Sequence, residues 1–158
     1  MIDGVRYGHT NLIARDWRQL ARFYTQLFGC TLVPPERNYS GSTLERGTGL
    51  PGAALRGAHL RLPGHGENGP TLEIFTYALN QERPAPAPNV LGFAHIAFQV
   101  ASVATAREQV IAAGGASVGE VVTSTTDAGT RVMWCYVTDP EGNIVELQSW
   151  LPAERAQR

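Results

Sequence analysis

Two segments of the chain place apolar residues at helical spacing. The first follows Asp16 and stops at Gly29, and the second follows Ser102 and stops at Gly114. Asp and Ser are favourable N-caps, and glycine commonly supplies the left-handed residue past a helix end. The apolar positions are 17, 20, 24, 27 and 28 in the first segment and 103, 106, 110 and 113 in the second. The pattern predicts two amphipathic helices.

Segments rich in β-branched and aromatic residues surround both helices and predict strands. One strand precedes each helix, at 7–13 and at 93–99. Three strands follow each helix, separated by turn-forming sequences such as DPEGN. They are predicted at 42–46, 57–62 and 71–77 in the first half and at 117–123, 130–137 and 144–150 in the second. The extra length of the first half is assigned to loops around 34–56.

The two halves repeat one another. The alignment that places His9 on His95 also places Gly29 on Gly115, and the last strands align Glu73 with Glu146. The predicted fold class is therefore α+β, with two tandem βαβββ modules. The modules are expected at 1–77 and 93–158, joined by a Pro/Ala-rich linker at 78–92. Each module forms a sheet that needs a partner to cover its apolar face.

Composition excludes several classes of function. The net charge is −1, without blocks of like charge, which argues against nucleic acid as a partner. No apolar run is long enough for a membrane span, and the first residues lack a signal-peptide pattern, so a cytoplasmic protein is expected. All 13 basic residues are arginine, which excludes lysine Schiff-base chemistry. Cys30 and Cys135 are interpreted as core thiols.

Each module carries a His on its first strand and a Glu on its last. A carboxylate within an apolar strand is unfavourable unless it is paired or bound to a metal. Two imidazoles and two carboxylates are able to share one divalent cation, such as nickel, cobalt, zinc, iron or manganese. A buried His–Glu network without metal is the alternative that the pattern leaves open. His59 and His65 receive less weight, because His59 faces either a cavity or water and His65 lies in a Gly-rich turn.

The segments FYTQLFG, GFAHIAFQV and YVTDPEGNIVEL resemble the vicinal oxygen chelate superfamily. That group includes glyoxalase I, methylmalonyl-CoA epimerase, extradiol dioxygenases, and fosfomycin and bleomycin resistance proteins. The resemblance covers nearly the whole chain and implies one domain in which both modules form a cup-shaped mixed sheet around a metal. By position, the implied metal ligands are His9, Glu73, His95 and Glu146. This set is closest to those of glyoxalase I and methylmalonyl-CoA epimerase.

The resemblance implies a metal-dependent isomerase, epimerase or lyase that removes a proton next to a metal-chelated carbonyl. Glu146 is the expected base and Glu73 the second catalytic carboxylate. Two other functions stay open. One is an iron-dependent dioxygenase, and the other is a protein that sequesters a small molecule without reaction.

The expected substrate is a small molecule with vicinal oxygens that is not a glutathione conjugate. Bacterial glyoxalase I has an Arg four residues after its first His and an Asn four residues after its first Glu, which help to hold the glutathione carboxylate. This chain has Ile13 and Tyr77 there. The residues expected to contact the substrate are Asn11, Phe75, Tyr77, Phe93 and Trp150. An equal alternative is that the aromatic residues only fill the interior of the cup and contact no substrate. A homodimer is expected, because such modules pair within and between chains.

Overall fold

The computed structural model describes residues 2–151, which divide into two units between Arg83 and Pro84. The division falls inside the predicted linker. Residues 1 and 152–158, which the predicted modules include, lie outside the described range. The first unit contains β1 (His9–Ile13), α1 (Trp17–Phe28), β2 (Thr31–Ser40), α2 (Ser42–Thr48), β3 (Ala54–Arg61) and β4 (Thr71–Tyr77). The second contains β5 (Ile96–Gln99), α3 (Val103–Ala112), β6 (Ala116–Ser117), β7 (Val122–Thr125), β8 (Arg131–Thr138) and β9 (Ile144–Leu151). None of the described helices has the length and hydrophobicity needed to span a membrane.

The first unit is a mixed four-stranded sheet with one face covered by α1. Its strand order is β1-β4-β3-β2, with β1 parallel to β4 and the other pairs antiparallel. Leu60, Leu72 and Ile74 are fully buried on the face that packs against α1. Since side chains alternate along a strand, Glu73 lies on the opposite face.

The second unit repeats this arrangement. Strand β5 is parallel to β9, and β9 pairs antiparallel with β8, as β1, β4 and β3 do in the first unit. Helix α3 packs against β8 and β9, where Val103, Val110 and Leu147 are buried. Strands β6 and β7 pair with successive parts of β8 and together take the place of β2. The predicted α+β class and the repeated module are confirmed.

The helix boundaries follow the predicted signals. The Asp16 carboxylate accepts hydrogen bonds from the backbone N–H groups of Arg18 and Gln19, and the Ser102 hydroxyl accepts one from Thr105. Both contacts satisfy N–H groups that have no partner within the helix. Gly29 follows α1 with a φ of 67°, in the left-handed region where glycine is favoured.

The predicted strand at 42–46 is wrong. These residues belong to α2, and the first strand after α1 is Thr31–Ser40, within the region assigned partly to loops. Two consecutive prolines, Pro34 and Pro35, disfavour a regular inner strand. However, β2 is an edge strand, and the prolines lie in an irregular step of its pairing between Val33 and Arg37. Proline is tolerated at such edges and irregularities, because no ladder hydrogen bond requires its missing N–H.

Two further strand predictions are corrected. The segment 117–123 is not one strand, because Val118 and Gly119 both donate backbone hydrogen bonds to the Tyr136 carbonyl and thereby separate β6 from β7. The strand predicted at 93–99 begins only at Ile96. Phe93 and His95 therefore precede β5.

A close approach between strands requires glycine at position 57. Gly57 pairs with Phe75 across β3 and β4, and a Cβ atom at Gly57 would collide with the Ile74 carbonyl oxygen and the Phe75 ring. The absence of a side chain lets the Phe75 ring lie over the β3 backbone.

We expect Gly57→Ala to lower the free energy of unfolding by about 1–3 kcal/mol, the usual cost of overpacking. Urea denaturation monitored by circular dichroism measures this. Gly119→Ala is the matched control, because a Cβ there meets nothing within 4 Å and the change should stay within about 0.5 kcal/mol. Equal stabilities of the two variants would show that the Phe75 ring does not depend on Gly57.

Candidate metal-binding site

The first unit brings His9 to Glu73. Asn11 is the direct neighbour of Glu73 in the parallel β1–β4 pair, and His9 lies two residues earlier on the same face. His9 Nδ1 is 3.4 Å from Glu73 Oε1. The side chain of His9 is 53% exposed and that of Glu73 only 14% exposed. A solvent-accessible imidazole thus lies beside a largely buried carboxylate.

His59 joins this pair. It is the direct antiparallel partner of Glu73, and its Nε2 lies 3.4 Å from the same Glu73 Oε1 that His9 approaches. Burial is the main reason that the pKa of His59 falls below its usual value; Arg37 and His9 lower it further, while Glu73 opposes the shift. His59 is therefore neutral at pH 7. The sequence left open whether His59 faces a cavity or water, because the register that places it opposite Glu73 cannot be read from one strand.

The second unit contains the same kind of His–Glu contact, with a shorter distance between the imidazole and the carboxylate. Ala97 neighbours Glu146 in the parallel β5–β9 pair, and His95 again lies two residues earlier. His95 Nε2 is 3.0 Å from Glu146 Oε2. The Glu146 side chain is 19% exposed. The structure thus brings each predicted His to its predicted Glu.

Tyr136 occupies the place that His59 has in the first unit. It is the direct antiparallel partner of Glu146, and its ring centroid lies 5.0 Å from that of His95. Burial, followed by the negative charge of Glu146, raises the pKa of Tyr136 above its usual value. The phenol therefore keeps its proton at neutral pH. Tyr136 was not among the predicted site residues, because one strand alone does not show which residue of the neighbouring strand lies opposite Glu146.

The donor groups fit a divalent first-row metal. Imidazole nitrogens and carboxylate oxygens are the ligands that such ions accept, and both carboxylates are mostly buried. Within residues 2–151, no group of three or more His, Cys, Asp or Glu side chains is arranged to hold a metal ion. That the two pairs share one ion stays a prediction.

The residues expected to contact substrate lie in different surroundings. Asn11, Phe75 and Tyr77 share the face of Glu73, whereas Trp150 shares the face of Glu146 and is 46% exposed. Phe75 is 6% exposed, and the ring of His59 packs edge-on against it at 5.8 Å. Phe93 precedes β5 and is 94% exposed, so it does not share a strand face with His95.

Neither cysteine lies on the faces that carry the His–Glu pairs. Cys135 alternates with Tyr136 on β8 and is buried on the helix-covered side. Burial raises the pKa of the Cys30 thiol to about 11 and also raises that of Cys135. Both thiols are protonated at neutral pH, which argues against an activated nucleophile.

Comparison with known proteins identifies the family. Residues 6–147 match the family model of the glyoxalase/bleomycin resistance protein/dioxygenase superfamily. The chain belongs to this superfamily. The resemblance seen in the sequence, to the vicinal oxygen chelate superfamily, is thereby confirmed. Membership associates the chain with proteins that bind small molecules, both enzymes and resistance proteins, and does not select one reaction.

Solved structures of the glyoxalase superfamily share the fold. A glyoxalase family protein from Bacillus cereus is 20% identical with a TM-score of 0.80, over 94% of this chain and 95% of that one. A glyoxalase/bleomycin resistance protein/dioxygenase family enzyme from Burkholderia phytofirmans is 17% identical with a TM-score of 0.56, over 91% and 98%. A related domain from Frankia sp. is 18% identical with a TM-score of 0.55, over 100% and 96%. No curated protein matches the chain significantly.

Proposed function

We propose that the protein is a divalent-metal-dependent, glyoxalase-like isomerase, epimerase or lyase that acts on a small substrate with vicinal oxygens. The observation that carries this proposal is the repeated contact of a His with a mostly buried Glu at the same register in both modules. A single His–Glu contact is common in protein cores. Its repetition on the face away from the helix is better explained by a shared ligand.

The proposed metal ligands are His9, Glu73, His95 and Glu146. Nickel, cobalt, zinc, iron and manganese all suit two imidazoles and two carboxylates. When bound, the metal supplies Lewis-acid polarisation of the substrate carbonyl. The low exposure of both carboxylates supports a cation as their partner, because a buried negative charge needs one.

The chain's own residues supply the proton transfer. Glu146 is the proposed base, and Glu73 is the second carboxylate that returns or receives a proton. The protonated phenol of Tyr136 lies on the strand beside Glu146 and is able to donate a hydrogen bond on that side. Neutral His59 lies beside Glu73 and is able to orient that carboxylate. These two neighbours make the surroundings of the carboxylates different, which favours different roles for them.

The first test is metal binding. We expect the wild-type protein to bind one Ni²⁺ per chain in equilibrium dialysis. Loss of a residue that only supports a metal ligand weakens metal binding by roughly 10- to 100-fold. His9→Ala and His95→Ala each remove a proposed ligand itself, so each should weaken Ni²⁺ binding by more than this. His65→Ala, in the exposed turn after β3, is the control and should bind as the wild type does. Two ions per chain, or no effect of either variant, would refute a site shared by the two pairs.

The second test is proton abstraction. We would incubate the Ni²⁺-loaded protein with 2-hydroxyacetophenone in deuterated water. We expect the carbon-bound hydrogens next to the carbonyl to exchange for deuterium, which NMR measures. Glu146→Gln should slow this exchange by roughly 100- to 10,000-fold, because it removes a positioned base. Glu108→Gln, on the exposed side of α3, is the control. Saturating Ni²⁺ separates loss of the base from loss of metal, and an unchanged rate would remove Glu146 from the mechanism.

The third test concerns glutathione. Ile13 is 46% exposed on the face of Glu73, and neither it nor Tyr77 replaces a charge-assisted contact to a carboxylate. Arg15, the nearest basic residue along the chain, is paired with Glu82. We expect the methylglyoxal–glutathione hemithioacetal to be a poor substrate, because each lost contact weakens its binding by about 10- to 100-fold.

The standard hemithioacetal assay on nickel-, cobalt- and zinc-loaded protein measures this difference. The double variant Ile13→Arg, Tyr77→Asn should turn over the hemithioacetal faster than the wild type. Turnover by the wild type comparable to that of a glyoxalase I would instead mean that other residues hold glutathione. The homodimer expected from the sequence stays a prediction.

A further inference from the structure

Arg37 presents a partly buried guanidinium on the face of Glu73. It follows the irregular step in β2 and pairs with Gly57, so its side chain projects to the same face as Phe75 and His59. Arg37 was not among the predicted site residues, because the region around 34–56 was assigned to loops.

The guanidinium of Arg37 is incompletely satisfied. Its Nη1 is buried and has no hydrogen-bond partner among residues 2–151, and Arg37 forms no ion pair within that range. Its sequence neighbour Glu36 is already engaged with Arg18, and the carboxylate of Glu73 contacts two imidazoles. A guanidinium stays charged at every physiological pH, so a buried N–H without a partner is unfavourable.

We propose that Arg37 binds a carboxylate of the substrate, so that the site takes a compound with one carboxylate besides its vicinal oxygens. This inference rests on the proposed function and specifies the substrate class. A carboxylate matches the planar donor geometry of guanidinium and supplies the hydrogen-bond acceptor that Nη1 lacks. A single arginine suits one carboxylate, whereas glutathione carries two.

The aromatic surroundings of Arg37 define the rest of the substrate. Phe75 lies over Gly57, the direct strand partner of Arg37, and the ring of Tyr39 lies 6.5 Å from that of Phe75. The Tyr39 side chain is 46% exposed and offers a ring surface on this side of the sheet, which favours a substrate with an aromatic or cyclic body. An aromatic hydroxyketone acid is therefore the class of compound to examine.

Matched acid and amide probes test this. We would titrate zinc-loaded protein, dialysed free of excess metal, with 3- and 4-(hydroxyacetyl)benzoate and with the corresponding benzamides, using calorimetry. At least one acid should bind about 10- to 100-fold more tightly than its amide, the value of one charge-assisted contact. Arg37→Gln should lower the affinity for that acid by this factor and leave the amide unchanged. Arg37→Lys, which keeps the charge, should retain part of the preference.

Arg56→Gln is the control, because Arg56 is exposed on the opposite face of β3 and should not change the preference. Circular dichroism confirms that each variant is folded. Equal binding of acids and amides to the wild type, or a preference that persists in Arg37→Gln, would overturn the role of Arg37 and leave the proposed function intact. Failure of both acids and amides to bind would overturn both.

Discussion

The carboxylate on an inner strand of each sheet is the feature on which the candidate site depends. Glu73 and Glu146 alternate with fully buried residues that pack under a helix, so each must point to the other face of its sheet. The helix therefore fixes the direction of the carboxylate, and the parallel first strand brings a His beside it. A largely buried negative charge held in this way requires a cation or hydrogen-bond donors nearby.

The two modules share this frame but differ in what lies beside the carboxylate. At the same antiparallel register, His59 faces Glu73 and Tyr136 faces Glu146. A neutral imidazole and a protonated phenol affect a neighbouring carboxylate differently, because the imidazole both donates and accepts whereas the phenol chiefly donates to an anion. Duplication thus supplies a His and a Glu in each module, and substitution at one register position makes the surroundings of the two carboxylates different.

The edge strand β2 adds a third element that the second module lacks. Its irregular step at the two prolines resets the pairing, so that Arg37 lies opposite Gly57. The glycine admits the Phe75 ring, and the ring and guanidinium share one face with His59. In the second unit the equivalent edge is divided into β6 and β7. The modules therefore agree at the inner strands and differ at the edges, where substrate recognition is commonly varied.

The sequence by itself determined the repeat, both principal helices with their caps, and a His and a Glu at equivalent positions of each module. These depend on local signals, such as Asp16, Ser102 and the glycines after each helix, and on alternation within a strand. Only the tertiary structure decided which residues face the carboxylates from other strands. Strand register places His59 and Arg37 on the face of Glu73 and places Tyr136 opposite Glu146, and a shift of one residue would turn each to the opposite face. Register depends on the pairing of distant segments and on the irregular step at Pro34–Pro35, which no local pattern specifies.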